Sequence, residues 1–561
     1  MSTGITIAVA IILIMPIIIV AYLINKQKKK EALEEKIAAM WGKEPSQKYR
    51  ETDMLSIASY YKNLSMNSNN RLIDDITWND LDMDSVFKRL NSTLSSVGEE
   101  YLYALLRRPC MNETELAERR RIISLFENSE NTRKNIQFIL ATLGKVRSIN
   151  ITNMLFDNEK ISNVQSILYK ILAAIPVLSI LVATANFGTG ISMLVFSFIT
   201  NLIVYYKAKN DEAAHLEIIS YIIAVLNCSK KIADLKIEGL EDINSKLKKC
   251  YNKVKSLNKR SFSILYSTGD PLTEYVKIAF LTELIAYESV ISKIHKCRET
   301  LLEIYECIGL LDSLAAIASY RKSLKYWCTP SLTKSNTFKG QKLQFINIYH
   351  PLLKDPVPNS LETSSSVLIT GSNASGKSTF LKTVAINAIF AQTICTCLAE
   401  SYSSPYFRIY SSMALKDNII NNESYYIAEI KSLKRIIDSL NDSCPSLCFI
   451  DEVLRGTNTV ERIAASSQVL HYLSNANCLC IAATHDIELT YILENSYDNY
   501  HFRENFIDNE ITFDYILHNG RSNTRNAIKL LKYMGYNEAI VNQAEQRAES
   551  FIKNGKWGQI Y

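Results

Sequence analysis

Gly371-Ser372-Asn373-Ala374-Ser375-Gly376-Lys377-Ser378-Thr379 decides how this chain is read. It satisfies G-x-x-x-x-G-K-[ST] in full. An apolar run, Ser366-Val-Leu-Ile-Thr370, stands before it, and a helical stretch from Phe380 to Ala391 stands after it. That strand–loop–helix setting is the one the motif requires. Its glycines let backbone N–H groups wrap phosphates. Lys377 reaches the β- and γ-phosphates, and the Ser378 hydroxyl is a ligand for Mg²⁺. The helix N-terminus adds its own positive end. The expected ligand is ATP with Mg²⁺.

Two further strand ends carry chemistry. Leu447-Cys-Phe-Ile-Asp451-Glu452 is an apolar run that closes on two acids. Asp451 suits the metal shell, and Glu452 suits a base that polarises an attacking water, since phosphoryl transfer needs positioning more than covalent chemistry. Ala482-Ala483-Thr484-His485-Asp486 closes a third run, where His485 can touch the γ-phosphate. From Thr329-Pro330 onward, short β-branched runs alternate with helical stretches. That is the pattern of a parallel sheet covered on both faces.

Upstream the chain reads as helix. Glu99-x-x-Leu102-x-x-x-Leu106 has helical spacing and Pro109 stops it. Asn210 to Tyr326 has few breakers. Within it Lys246, Lys248, Lys249, Lys253, Lys255, Lys259 and Arg260 occur with no acid between them. A solvated helix face and a phosphate- or lipid-facing surface both fit that run.

The chain has 561 residues, so at roughly 150 per domain about three to four domains are expected. The apolar fraction is 47% and the charged fraction 21%, which excludes a disordered chain and a highly charged coil. Lys+Arg 63 against Asp+Glu 57 leaves +6, too little to argue for nucleic acid by itself. With Gly 17 and Pro 11, an all-β protein rich in turns is disfavoured. The twelve cysteines show no C-x-x-C spacing and no histidine at a zinc-like offset. They read as reduced, packed side chains in a reducing compartment.

Two apolar features point to a membrane. Ile5 to Ile24 is about long enough to cross a ~30 Å hydrocarbon core, and Lys26, Lys28, Lys29 and Lys30 follow it. A secretory signal carries its charge before the apolar run. This order puts the N-terminus outside and the lysines inside, and Pro16 is tolerable in a span. Ile171 to Tyr206 also has no charge, with Lys160 and Lys170 before it and Lys207 and Lys209 after it. Asn186-Phe-Gly-Thr-Gly190 can turn the chain there. The expectation is a transmembrane hairpin, Ile167–Phe187 and Thr189–Tyr206, with both flanks cytoplasmic. A buried hairpin in a large helical domain is the alternative.

These elements together resemble the MutS family of ATPases. The segment from Ile369 to Thr379 resembles its phosphate loop, with Asn373 and Ala374 included. Asp451-Glu-Val-Leu-Arg-Gly-Thr-Asn458 resembles its second acidic motif, Ala483-Thr-His485 its switch histidine, and Tyr349-His350-Pro351-Leu352-Leu353 the segment before its ATPase strands. Ser424-Tyr-Tyr-Ile-Ala-Glu429-Ile430 is similar to the signature segment whose serine approaches the partner subunit's γ-phosphate. Tyr515 falls where the family sets a ring against adenine. Asp80-Leu-Asp-Met-Asp84, Ser95-Ser-Val-Gly98-Glu and Leu105-Leu-Arg-Arg-Pro109 resemble the start of its helical core and lever.

The resemblance implies an α-helical core and lever domain plus an α/β P-loop NTPase domain of ABC type. The expected division is a transmembrane helix at 1–25, a juxtamembrane connector at 26–72 and a first helical part at 73–165. A transmembrane hairpin at 166–206, a second helical part at 207–329 and the ATPase domain at 330–561 follow. Glu452, His485, Lys377 and Ser424 are the expected catalytic residues. Gly371 to Thr379 and Tyr515 are expected to hold the nucleotide, and Ser378 and Asp451 the metal. A homodimer in the cell membrane is expected, multi-pass, with its other domains cytoplasmic. No mismatch-reading domain, connector domain or C-terminal nuclease-like domain is recognised. The function implied is a DNA-binding ATPase related to mismatch repair and tethered to the membrane. The alternative is a membrane ATPase that moves a protein or lipid partner without DNA.

Overall fold

The computed structural model describes residues 2–67, 72–146, 151–156, 164–265, 271–372, 375–413, 425–440, 444–455, 457–507, 510–522, 528, 531, 534–557 and 559. The chain divides into two compact units. One comprises Met1–Asn70, Leu90–Leu105 and Glu118–Ser323; the other comprises Arg71–Arg89, Leu106–Ala117 and Leu324–Tyr561.

The first unit is helical among its described residues. Its core lies along the helix Arg298–Ser323, whose residues from Ile304 to Arg321 are almost all buried. Gly98 is required here by close approach: a Cβ at this position would fall on the Asp312 carboxylate. That carboxylate accepts bonds from the Ser95 hydroxyl at 2.5 Å, the Leu94 N–H at 3.0 Å and the Ser95 N–H at 2.9 Å. Burial pushes Asp312 up to about 6, against these bonds.

The apolar hairpin belongs to this unit. Val164–Ala185 and Phe187–Ala208 are both long and apolar enough to cross a membrane. Leu181, Phe196 and Ile203 are exposed on them, Phe196 by 73%. The turn is tighter than the sequence suggests. It takes the single residue Asn186, whose side chain caps the next helix by accepting the Thr189 N–H at 3.3 Å. Gly190 lies inside that helix, where a Cβ would meet the Ala183 backbone. The second arm continues without a break to Asp234, and Glu241–Leu265 packs back along it. The N-terminal apolar run lies in the helix Ser2–Met40, which runs on through the lysine cluster. The side chains of 2–19 lie outside the described residues.

The second unit is α/β. Its strands are β1 (Ser331–Thr333), β2 (Leu343–Ile348), β3 (Asn359–Thr363), β4 (Ser366–Thr370), β5 (Ser401–Pro405), β6 (Arg408–Ser412), β7 (Ser446–Asp451), β8 (Cys478–Thr484), β9 (Tyr497–Ile507) and β10 (Glu510–Asn519). Among the described residues they form a four-stranded sheet, β1-β5-β2-β3, and a six-stranded sheet, β10-β9-β4-β8-β7-β6. In the larger sheet β9, β4, β8, β7 and β6 are parallel, and β10 is antiparallel to β9. The three strands expected from sequence are β4, β7 and β8. Every residue in them is buried, which is why they read as unbroken apolar runs rather than alternating ones.

Segments from the first 117 residues complete this unit. Asp74 caps its own helix at Thr77 and pairs with Arg435. Asp80 accepts bonds from the Ser411 hydroxyl at 2.7 Å and the Met413 N–H at 3.0 Å, and Asp82 pairs with Lys382 at 2.5 Å. All twelve cysteines are free thiols.

Candidate nucleotide site

The register of the large sheet builds the site. Thr370 pairs with Thr484, and Asp451 with Ala483. The residues just past β4, β7 and β8 therefore emerge side by side at the carboxyl edge, where parallel α/β sheets bind ligands. They are Gly371, Glu452 and His485.

After β4 the chain enters the loop and then the helix Lys377–Thr393. Gly371 has φ +148° and Gly376 φ +108°, values that L side chains rarely adopt. At Gly371 a Cβ would lie 2.9 Å from Ser375 Oγ and 3.1 Å from the Phe502 carbonyl; at Gly376 it would lie 3.2 Å from the Tyr515 ring. The loop has no room for side chains there. Lys377 curls back, and its Nζ donates to the carbonyls of Gly371 at 2.7 Å and Ser372 at 2.8 Å. Burial holds this amine down at about 8, although Asp451 and Glu452 pull the other way. Ser375 Oγ is buried with no hydrogen-bond partner among the described residues. Asn373 and Ala374 lie outside the described residues, as does Ser424.

Ser378 and Asp451 meet: the hydroxyl donates to the carboxylate at 2.5 Å. A hydroxyl and a carboxylate side by side at the mouth of a phosphate loop are the oxygen donors Mg²⁺ takes, so the residues present fit that ion. Glu452 sits beside them with both oxygens engaged. His485 Nε2 is 2.7 Å from Oε1 and Arg455 Nε is 2.6 Å from Oε2. Burial opposes ionisation of Glu452, but His485, Arg455 and Lys377 outweigh it and hold the carboxyl below its usual range. Beyond His485, Asp486 is gripped by Arg462 at 2.6 Å and 3.0 Å.

Next to the loop lies a cavity of about 320 Å³, lined by Gly376, Thr379, Phe380, Phe502, Val357 and Tyr515 among others. Its walls are mainly apolar and aromatic, which suits a flat base. Tyr515 has φ +56° and lies in an irregularity of β10 between Phe513 and Leu517. Asn359 holds that irregularity. Its amide donates to the Tyr515 carbonyl at 3.0 Å, and its Oδ1 accepts the Leu517 N–H at 2.7 Å. His350 also lines the cavity, and burial pushes it down to about 4, so it is neutral at pH 7.

The structure thus brings together Lys377, Ser378, Asp451, Glu452 and His485, with Gly371, Ser372, Ser375, Gly376, Thr379 and Tyr515 around them. Sequence reasoning assigned no role to Arg455, Asn359, Arg462 or Glu429. Arg455 and Glu429 stood inside quoted motifs; Asn359 and Arg462 carried no local signal.

Residues 367–552 match the family described as MutS domain V. That span starts in β4 and includes every strand end of the site. A DNA mismatch repair protein MutS from Pseudothermotoga lettingae is 32% identical over 213 residues, covering 36% of this chain and 25% of that protein. The MutS of Thermotoga neapolitana is 33% identical over 219 residues, 38% of this chain and 26% of its own length. MutS protein homolog 4 of Homo sapiens is 30% identical over 278 residues, 46% of this chain and 28% of its own. The chain therefore spans about a quarter of the length of these relatives, and the residues that match the family model lie within the α/β unit.

Proposed function

We propose that this chain is a MutS-like ATPase that binds Mg–ATP at the ends of β4, β7 and β8 and hydrolyses it to ADP and phosphate. The observation that carries the reading is the meeting of Lys377, Ser378, Asp451, Glu452 and His485 at one sheet edge. The loop amides and the amine of Lys377 take the phosphates, and the cavity beside Tyr515 takes the base. Ser378 and Asp451 would hold Mg²⁺, which when bound neutralises charge on the phosphates. Glu452, a carboxylate at pH 7, orients a water and accepts its proton. His485 hands its hydrogen bond from Glu452 to the γ-phosphate and so frees one carboxylate oxygen for the water.

The protein acts as a homodimer in which Ser424 of one subunit completes the site of the other. The helix from residue 2 and the hairpin 164–208, both part of the helical unit, tether it to the cell membrane, with the rest of that unit and the α/β unit cytoplasmic. Its further partner is DNA, in a process related to mismatch repair. The printed names of the MutS relatives support this, and so does the basic run from Lys246 to Arg260. The exposed apolar faces of the hairpin favour a second reading, a membrane ATPase that moves a protein or lipid partner without DNA. One experiment separates them: DNA binding by the full chain in detergent, with homoduplex, mismatched and branched DNA over a salt series. Binding that weakens linearly in log salt supports the first reading. ATP hydrolysis with no DNA binding at low salt supports the second.

A further inference from the structure

Glu429 lies in the first turns of the helix Tyr425–Ser439, which begins one residue after Ser424. Its side chain is 3% exposed, yet it meets no lysine or arginine head group in a direct ion pair among the described residues. It binds backbone instead. One oxygen accepts the Leu454 N–H at 2.5 Å and the Arg455 N–H at 3.3 Å; the other accepts the Arg455 N–H at 3.1 Å.

The backbone it holds is an unusual one. Glu452 has φ +63° and Leu454 φ +61°, two left-handed residues with side chains inside three positions. L residues avoid that region because Cβ crowds the following carbonyl, and such strain persists only where the surroundings over-determine it. Here they do. Glu452 N–H donates to the Ala483 carbonyl at 2.9 Å, and the Ser466 hydroxyl donates to the Val453 carbonyl at 3.0 Å. The Leu454 side chain is buried in the same core cluster as Leu433, which lies one turn beyond Glu429 on the same helix. The turn at 452–455 is therefore built from both ends. β7 enters it, and the helix after Ser424 closes it.

We propose that Glu429 is a positioning residue for hydrolysis. Its carboxylate latches the 452–455 turn to the helix Tyr425–Ser439, which begins within the signature-like segment, and this sets the direction of the Glu452 side chain. When the helix shifts, the latch transmits the shift to the water-activating carboxylate, while the phosphate loop, carried by β4, is untouched. The inference rests on the ATPase reading above. A residue that merely stabilised the fold would affect nucleotide binding and turnover alike. A latch affects the hydrolytic step alone.

The test is Glu429→Gln in the full chain in detergent, read by Mg–ATP binding, single-turnover hydrolysis and amide hydrogen exchange. Glutamine keeps the shape but replaces one acceptor oxygen by an N–H₂ that faces the backbone donors. Loss of a charge-assisted bond predicts hydrolysis slower by roughly tenfold to a hundredfold. ATP affinity should stay within about twofold, and the 452–455 amides should exchange faster. An unchanged hydrolysis rate, or a fall in affinity that matches the fall in rate, overturns the latch. Wild-type protein supplies the check that needs no variant: its 454 and 455 amides should be protected, and exchange at the free-peptide rate would overturn the latch as well. Failure of the underlying reading looks different. Wild type would then neither bind nor hydrolyse ATP, and the latch would fall with it.

Discussion

Raising the pH from 7 to 10 should weaken ATP binding through one residue. Lys377 is held at about 8, below its ordinary 10.5, because burial penalises its charge. Its Nζ now donates to two carbonyls of its own loop, and in the proposed complex it would face polyphosphate instead. Added negative charge favours the ammonium, so its pKa in the complex returns to about its ordinary value or higher. The sign follows. Below pH 8 the free protein already carries the proton, and affinity does not depend on pH through this group. Between pH 8 and about 10 the free amine must take up a proton to bind. Affinity then falls about tenfold per pH unit, or about 1.4 kcal/mol. At pH 9 the loss should be roughly tenfold.

Unfolding does not mimic this loss. A lysine with a depressed folded-state pKa costs stability below that pKa, and the cost is relieved as pH rises toward the unfolded value. The assay is titration with a fluorescent ATP analogue at several pH values, with calorimetry in two buffers of different ionisation heat. Uptake of close to one proton at pH 9 is expected. Affinity flat to pH 9.5 with no proton uptake would refute the assignment of Lys377 as a buried, phosphate-facing amine.

Three further outcomes are expected. Glu452→Gln should keep ATP binding and lose turnover by roughly 10²–10⁴-fold, the worth of a general base; unchanged turnover would mean another group positions the water. Mixing subunits that carry Lys377→Ala with subunits that carry Ser424→Ala should restore activity, since in the proposed dimer both lesions would fall on one composite site and leave the other intact. No recovery in demonstrably mixed dimers would place Ser424 outside its partner's site. Gly98→Ala puts a methyl group on the Asp312 carboxylate, so the helical unit should lose about 1–3 kcal/mol, read as a lower denaturation midpoint. A midpoint equal to wild type would show that Asp312 moves aside without cost.

The phosphate loop and the two partner strand ends were legible because their signal is local. A fully buried parallel strand must be apolar throughout, and the residue after it must carry the chemistry, so Asp451, Glu452 and His485 stood out from their runs. The residues that orient them were not legible. Asn359 shapes the cavity by holding the Tyr515 irregularity from a distant strand, and Glu429 works on backbone N–H groups that have no side-chain signature. Arg455 reads as one more exposed cation until the turn at 452–455 folds it back onto Glu452. In each case the information lies in a tertiary contact.

The hairpin shows the same limit from the other side. Its length and lack of charge are one-dimensional properties, and sequence gives them directly. The place of its turn is not. Gly188 and Gly190 marked a broad loop because glycine usually punctuates, but a glycine in a helix also permits close contact with a neighbouring backbone. Gly190 serves that purpose against Ala183, and the turn contracts onto Asn186, whose side chain caps the second helix. The same ambiguity applies to Gly98. Its neighbours mark it as part of a helix, and only the Asp312 carboxylate, more than two hundred residues away in sequence, explains why that helix carries no side chain at this position.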